Sequence, residues 1–358
     1  MNIPKAPLCT TIVLLLTSPL AVAQQSADED GLLLHFAGYT DVTYVNTQGE
    51  GDEAVLTLAP ILHLQLGERI LIESELEMEV DSSGATATAF EYAAVNFLLG
   101  DNAALVVGKF LSPTGYFFQN MHPSWINKLP SAPAGFGHAG AATLTEVGVQ
   151  LRGGKALRGG QKINYAAYVG NGPTLGLEGE DDFDLDAEGS TDNADGERVL
   201  GGRVGWIPRA GVELGVSLAR GDVKLVGGPT DVSLEPSRSY AVDGVDGAWR
   251  VNKVLELRGE WIRQRVGAAS ASALPMGATW RAWYTQGTYR FGGDRWEAVA
   301  RYGQSRSPHG EATFNQFALG VNRLLSSHAQ LKLAWEFNSS EDAGAGADRL
   351  LLQFAYGF

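Results

Sequence analysis

The chain predicts an all-β fold, a transmembrane antiparallel β-barrel of about sixteen strands, on three observations. Apolar and polar residues alternate with period two in segment after segment, and no stretch sustains a helical apolar period. The connections alternate between short turns and longer polar loops, a parity typical of membrane barrels that a soluble sandwich has no reason to keep. Glycine is abundant (45 of 358 residues) while mean hydropathy is only −0.07, the balance of a wall with one face to lipid and one to water.

Strand one runs from about Leu33 to Val45. Strand two, Val55 to Leu66, sets Leu56, Leu58, Leu62, Leu64 and Leu66 on one face and Thr57, His63 and Gln65 on the other. Strand three follows the turn Gly67-Glu68-Arg69, with Ile70, Ile72, Leu76 and Met78 toward lipid and Glu73, Glu75, Glu77 and Glu79 opposite. Further strands begin near Ala87, Ala103, Thr143, Gln161, Val199, Gly211, Arg238, Val254, Gly277, Arg295, Ala312, His328 and Arg349. The short turns include Gly100-Asp101-Asn102, Pro208-Arg209-Ala210, Asn252-Lys253, Gly292-Gly293-Asp294 and Ser326-Ser327. The long loops are 46–54, 81–86, 111–142, 171–198, 221–237, 267–276, 306–311 and 339–348. Pro60 sits mid-strand, where it removes a ladder hydrogen bond, so a bulge is expected there. Strand four alternates poorly, and its facing stays open. Trp206, Trp249, Trp261, Trp283, Trp296, Trp335, Tyr289 and Tyr302 suit the aromatic girdles of a barrel.

Residues 1–23 read as an export signal, leaving 24–358 as a single barrel domain. Lys5 supplies the positive region, Leu8 to Leu16 the apolar one, and Ala21-Val22-Ala23 the cleavage site. Cys9 lies within that signal, so the mature chain would have no disulfide, no cysteine metal site and no cysteine nucleophile. No later stretch approaches the ~18 apolar residues of a membrane helix. Without Lys5 the chain holds 26 basic and 41 acidic residues, net −15, which argues against a nucleic-acid partner. No cofactor or metal is expected. Asp182, Asp184 and Asp186 have oxygen spacing for calcium, but Ala187 and Asn193 stand where a calcium loop needs Gly and Glu. That acidic loop reads as a solvated surface sharing divalent ions with lipopolysaccharide.

The longest loop, after strand five, is rich in aromatic residues, Pro and Gly and nearly uncharged. A loop of ~30 residues is usually functional or disordered, and this composition opposes disorder. Its Tyr116, Phe117, Phe118, Met121, Trp125, Ile126, Leu129 and Phe136 need a surface to pack on, and the inside of a sixteen-stranded barrel provides one. Folded inward, the loop would narrow the bore, with His122, Trp125, Asn127 and Lys128 as constriction residues. The alternative is that they only buttress the wall. The four glutamates of strand three would face the lumen, with Arg258 (beside its partners Glu256 and Glu260) and Arg301 answering from later strands, giving a transverse field that favours polar solutes. Like charges at period two need cross-strand partners, so a purely structural ladder is the competing reading.

The stretch Gly108 to Phe136, GKFLSPTGYFFQNMHPSWINKLPSAPAGF, resembles the constriction region of the phosphate-selective porin O/P-like family. LHFAGYTDVTY, ILIESELEMEV, YAAYVGNGP, DNADGERVLGGRVGW and VLELRGEW resemble that family more loosely. The resemblance implies a sixteen-stranded outer-membrane channel, usually a homotrimer. It does not carry phosphate selectivity: the seven lysines after residue 24 (109, 128, 155, 162, 224, 253, 332) form no ladder. The last nine residues resemble the closing strand of bacterial outer-membrane barrels, which implies that Phe354, Tyr356 and Phe358 form a signal for the barrel assembly machinery.

The expected function is therefore passive diffusion of small hydrophilic solutes or ions through the outer membrane of a Gram-negative bacterium, among lipid and lipopolysaccharide. A plugged barrel acting as a scaffold or assembly partner is the alternative. An outer-membrane hydrolase is a weaker rival, because the six histidines (35, 63, 122, 138, 309, 328) fall in no catalytic motif. The chain reads as no enzyme.

Overall fold

The computed structural model describes residues 31–137, 140–141, 143–178, 182–228, 230–308, 313–341 and 346–358. The export signal, His138 and His309 lie outside these residues. Seven strands come first: β1 (Leu32–Thr47), β2 (Gly51–Leu66), β3 (Ile70–Val80), β4 (Thr86–Leu98), β5 (Ala103–Leu111), β6 (Thr145–Ala156) and β7 (Lys162–Gly170). The short helix α1 (Phe117–Met121) lies between β5 and β6. Then come β8 (Thr174–Glu178), β9 (Asp182–Asp186), β10 (Val199–Arg209), β11 (Val212–Val223) and β12 (Leu225–Val226). The chain finishes with β13 (Arg238–Arg250), β14 (Leu255–Val266), β15 (Ala278–Phe291), β16 (Trp296–Arg306), β17 (Thr313–Leu324), β18 (Ala329–Ser340) and β19 (Arg349–Gly357).

Sixteen of these strands close into one antiparallel barrel, while β8, β9 and β12 form a separate small sheet. Closure joins β1 to β19, from Tyr39 opposite Gly357 to Thr47 opposite Arg349. Gly38 and Phe358 exchange backbone hydrogen bonds at 3.0 and 2.9 Å, and the Phe358 ring stacks on Phe36. A side chain at Gly38 would meet that ring at 2.7 Å, so only glycine admits this seat.

Alternation produces the two faces. Leu352, Phe354 and Tyr356 point outward and are exposed, whereas Leu351, Gln353 and Ala355 are buried. The same pattern gives an outer belt that includes Val42, Leu56, Leu200, Val216, Leu218, Leu319 and Leu333, the surface of a barrel that meets lipid. Trp206, Trp249, Tyr289 and Trp296 stand outward near the short-turn end. Among the described residues no helix is long and apolar enough to cross a membrane.

Several expectations need correction. No bulge forms at Pro60: it pairs with Gly38, and the β2–β3 register is the same on both sides of it. The bulge lies one strand further on, where Glu75 faces Tyr92 and Leu76 faces Phe90. Glu91 is the extra residue, and its insertion flips the parity of β4, which is why that strand reads poorly in sequence. Loop 46–54 shrinks, because β1 and β2 run on to Thr47 and Gly51. Pro208 belongs to β10, beside a register shift between Trp206 and Arg209, rather than to a turn. The acidic loop is not simply a solvated surface. Its β8 and β9 put Leu175, Phe183 and Leu185 into an apolar cluster with Tyr240, Val242 and Leu225, leaving Asp182, Asp184 and Asp186 on the opposite face. Three carboxylates along an extended strand diverge rather than converge on an ion.

Candidate functional site

The connection from β5 to β6 crosses the barrel interior. It leaves β5 at Leu111, and the Gly115 N–H donates to Ser217 Oγ of β11 at 2.9 Å. The Tyr116 and Phe117 N–H groups, which open α1 and have no helical acceptor, donate to Glu260 Oε1 and Oε2 of β14 at 2.8 and 2.9 Å. Gly115 is required here: its φ is +98°, and a Cβ would collide with the Glu260 carboxylate. Phe117 and Phe136 meet the β15 residue Tyr284 edge-on, with centroids 6.2 and 5.1 Å away. Such pairs stabilise by about 0.5–1.5 kcal/mol beyond their buried area.

The following segment is fixed by other means. Lys128 pairs with Glu297 of β16 at 3.3 Å, and Asn322 of β17 donates to the Lys128 carbonyl at 2.8 Å. Arg301 donates to the Ser131 and Ala132 carbonyls at 2.9 and 3.0 Å, and the Ser131 hydroxyl donates to Glu336. Glu336 also holds Arg349 at 2.6 Å. Gln330 and Lys332 of β18 donate to the carbonyls of Trp125 and Ser124. The Trp125 ring lies against Gly357, and Leu129 against Gly320.

The glutamates of β3 face inward and divide in two. Glu73 pairs with Arg152 of β6 at 3.1 Å, and that guanidinium also donates to Asn96. Glu75 is buried, accepts from Tyr39 Oη at 2.9 Å and lies 3.7 Å from His122 Nε2. Glu77 also accepts from Tyr39, at 3.3 Å. Glu79 is exposed beside Glu77. Burial opposes the charged form of His122, but the Glu75 carboxylate, the charge of Glu91 and the Phe118 carbonyl outweigh it and raise its pKa.

Two cavities flank α1. One of about 1110 Å³ opens near the short-turn end, lined by Arg69, Asp101, Arg152, Arg203 and Glu213, with Tyr116, Gln119 and Asn120 as its roof. The other, about 340 Å³, lies toward the long loops and holds Asp41, Glu77, Glu79 and Glu91 beside Phe118 and His122. Among the described residues no lysine or arginine lines it.

The predicted residues are thus dispersed. His122 reaches β3, while Lys128 is bound to β16 and Trp125 to β18 and β19. Asn127 is buried and bonds Ser131 within the loop itself. Arg301 is buried under the loop, and Arg258 pairs with Glu256. Glu260, expected as a partner of Arg258, instead caps α1. Tyr39, Arg152, Glu336 and Lys332 were not singled out in the sequence. Their inward parity was visible, but nothing local marks which inward side chain a distant loop will meet. The ring places β3 and β14 eight strands apart, on opposite walls of the barrel.

A closed sixteen-stranded antiparallel barrel with an apolar exterior and a loop crossing its interior is the fold of known outer-membrane proteins. The chain is similar to the outer membrane channel DcaP of Acinetobacter baumannii, at 13% identity over 93% of this chain and 99% of that one, with a TM-score of 0.60. It is equally similar to an anion-selective porin from Comamonas acidovorans, at 15% identity over 91% and 100%, TM-score 0.60. OmpT of Vibrio cholerae in its trimer form gives 10% identity over 91% and 99%, TM-score 0.58. No protein-family model and no curated protein matches the chain.

Proposed function

We propose that the chain is an outer-membrane porin that passes small hydrophilic solutes and ions by diffusion, narrowed where α1 approaches the β3–β4 wall. The observation that carries this reading is the pair of cavities on either side of α1, the larger lined mainly by polar groups and the smaller holding four carboxylates among apolar side chains. The path joining them would run between Gln119, Asn120 and His122 on the loop and Glu73, Asn96 and Glu75 on the wall. With Asp41, Glu77, Glu79 and Glu91 beyond it, the lumen favours cations over anions. That differs from the phosphate selectivity of the family its sequence resembles, and phosphate transport is not part of the proposal.

The proposal includes removal of residues 1–23 on export and recognition of Phe354, Tyr356 and Phe358 by the barrel assembly machinery. Trimeric association is also included, in keeping with the trimer form of a structural neighbour. No covalent chemistry is assigned. The second reading, a plugged scaffold, draws on the apolar cluster that packs Phe117, Met121 and Phe136 against Tyr284 and Ile262. Single-channel recording in a planar bilayer under a tenfold KCl gradient tests both. Steady current with a cation-selective reversal potential supports the porin. A folded but silent barrel defeats it in favour of the plug.

A further inference from the structure

We infer that the outer face of β11–β16, at the long-loop end, binds the phosphate groups of a phosphorylated outer-leaflet glycolipid of the lipopolysaccharide kind. This rests on the proposed outer-membrane orientation, with the long loops outside. Arg220, Arg263, Arg265, Arg281 and Arg306 all share the outward parity of Leu218, Trp261, Trp283 and Tyr302 on their strands. Among the described residues the acidic side chains of this outward face are Asp222 and Asp243, with Asp182 of β9 beside Arg281 and Arg306, so five positive charges meet three negative ones in a chain of net charge −14. At corresponding heights on β1, β2 and β18 the outward residues are Asn46, Asp52 and Ser339.

The register crowds positive charge on this face. Arg263 stands directly opposite Arg281, and Arg281 directly opposite Arg306, three arginines in a row across three strands. Like charges in opposed positions destabilise a sheet. Asp243 relieves one side, accepting from Arg220, from Arg263 at 2.7 Å and from Arg265 at 3.2 Å. Arg281, in the middle of the row, has an arginine on either side in the ladder and is exposed. The buried Nε atoms of Arg263 and Arg265 make no hydrogen bond. Arg281 and Arg306 also line a cavity of about 690 Å³ with Leu274, Met276, Thr279 and Asp182, a mixed wall suited to a headgroup that carries acyl chains.

Depth agrees with that ligand. Arg263 and Arg281 lie two residues beyond Trp261 and Trp283, and Arg306 four beyond Tyr302, or ~7–13 Å above the outward aromatics. Aromatic girdles mark the interface of a membrane barrel, so the arginines stand at headgroup height. The planar guanidinium fork matches phosphate oxygens in pairs.

The test uses the full barrel refolded in zwitterionic detergent, with native mass spectrometry reading lipid adducts. Bisphosphorylated lipid A is expected to bind, lipid A stripped of phosphate is not, and millimolar inorganic phosphate should fail to displace it. Arg281→Gln should weaken binding about tenfold, the loss of one charge-assisted contact. Arg323→Gln, an outward arginine over Trp296 at the short-turn end, should leave binding unchanged. Heat-modified gel migration confirms folding of each variant, and Arg306→Gln serves if Arg281→Gln does not fold. Binding by Arg281→Gln equal to that of the unmodified barrel, equal binding of phosphate-free lipid, displacement by inorganic phosphate, or oligomers that dissociate on Arg281→Gln would each overturn the assignment. A barrel that binds lipid A but carries no current would defeat the porin reading and leave this one standing.

Discussion

The two arms of the lumen loop are held by opposite chemistry. Around α1 the loop contributes the side chains: Phe117 and Phe136 close on Tyr284 in an apolar cluster that also contains Ile262 and Ala282. From Ser124 to Ala132 the wall contributes them, and Gln330, Lys332, Asn322 and Arg301 reach mainly for loop carbonyls. The first arm is side-chain packing and is sensitive to what the loop residues are. The second is recognition of loop backbone, and it is sensitive to what the wall residues are. Ser217 and Glu260 are the exceptions in the aromatic arm, wall side chains that take three loop N–H groups between them.

The comparison can be broken most forcefully at Phe136. Phe136→Ala should cost about 3–5 kcal/mol of loop docking, the usual loss for a buried phenylalanine. Open-channel noise and protease cleavage of the loop should both increase, independently of salt. Next, Glu336→Gln should cost about 1.5–3 kcal/mol, since Arg301 and Arg349 lose their shared carboxylate. The same two measurements read it, and an effect exceeding that of Phe136→Ala would reverse the order of the arms. Lys128→Ala should cost no more than ~1 kcal/mol, because Glu297 keeps Arg290 and Asn322 as partners. Molar KCl should reproduce part of that loss in the unmodified chain.

The smallest effect is expected at His122, between the arms. Its pKa is raised in the folded chain, so its attraction to Glu75 is fully present below the unfolded value of ~6.5 and is lost as pH rises through the folded value. Glu91 strengthens the attraction, and Tyr39 donates its hydroxyl hydrogen bond to the Glu75 carboxylate. Loop noise should therefore grow with rising pH above neutrality, and His122→Gln should flatten that profile. A profile unchanged by the substitution would assign the titration to another group.

The legibility of the two arms differs for the same reason. The aromatic arm could be read from its own residues, because eight large apolar groups in one loop demand a dry surface. The polar arm could not. Ser124, Ser131 and Ala132 are unremarkable, and the groups that bind them lie some 170 to 210 residues later, at Arg301 and Lys332. Glu260 was recognised as inward but matched to the nearest arginine in sequence, whereas its ligands come from 143 and 144 residues away.

The sequence by itself determined the strand count, the lipid and lumen faces, the girdles and the inward path of the long loop. Period-two burial and turn chemistry are local, and each segment carries its own copy of the pattern. Only the tertiary structure decided that Glu91 is the bulge, that β9 tucks Phe183 and Leu185 inside, and that five outward arginines from four strands form one patch. Those outcomes depend on register and closure, which bring together residues that no local pattern relates.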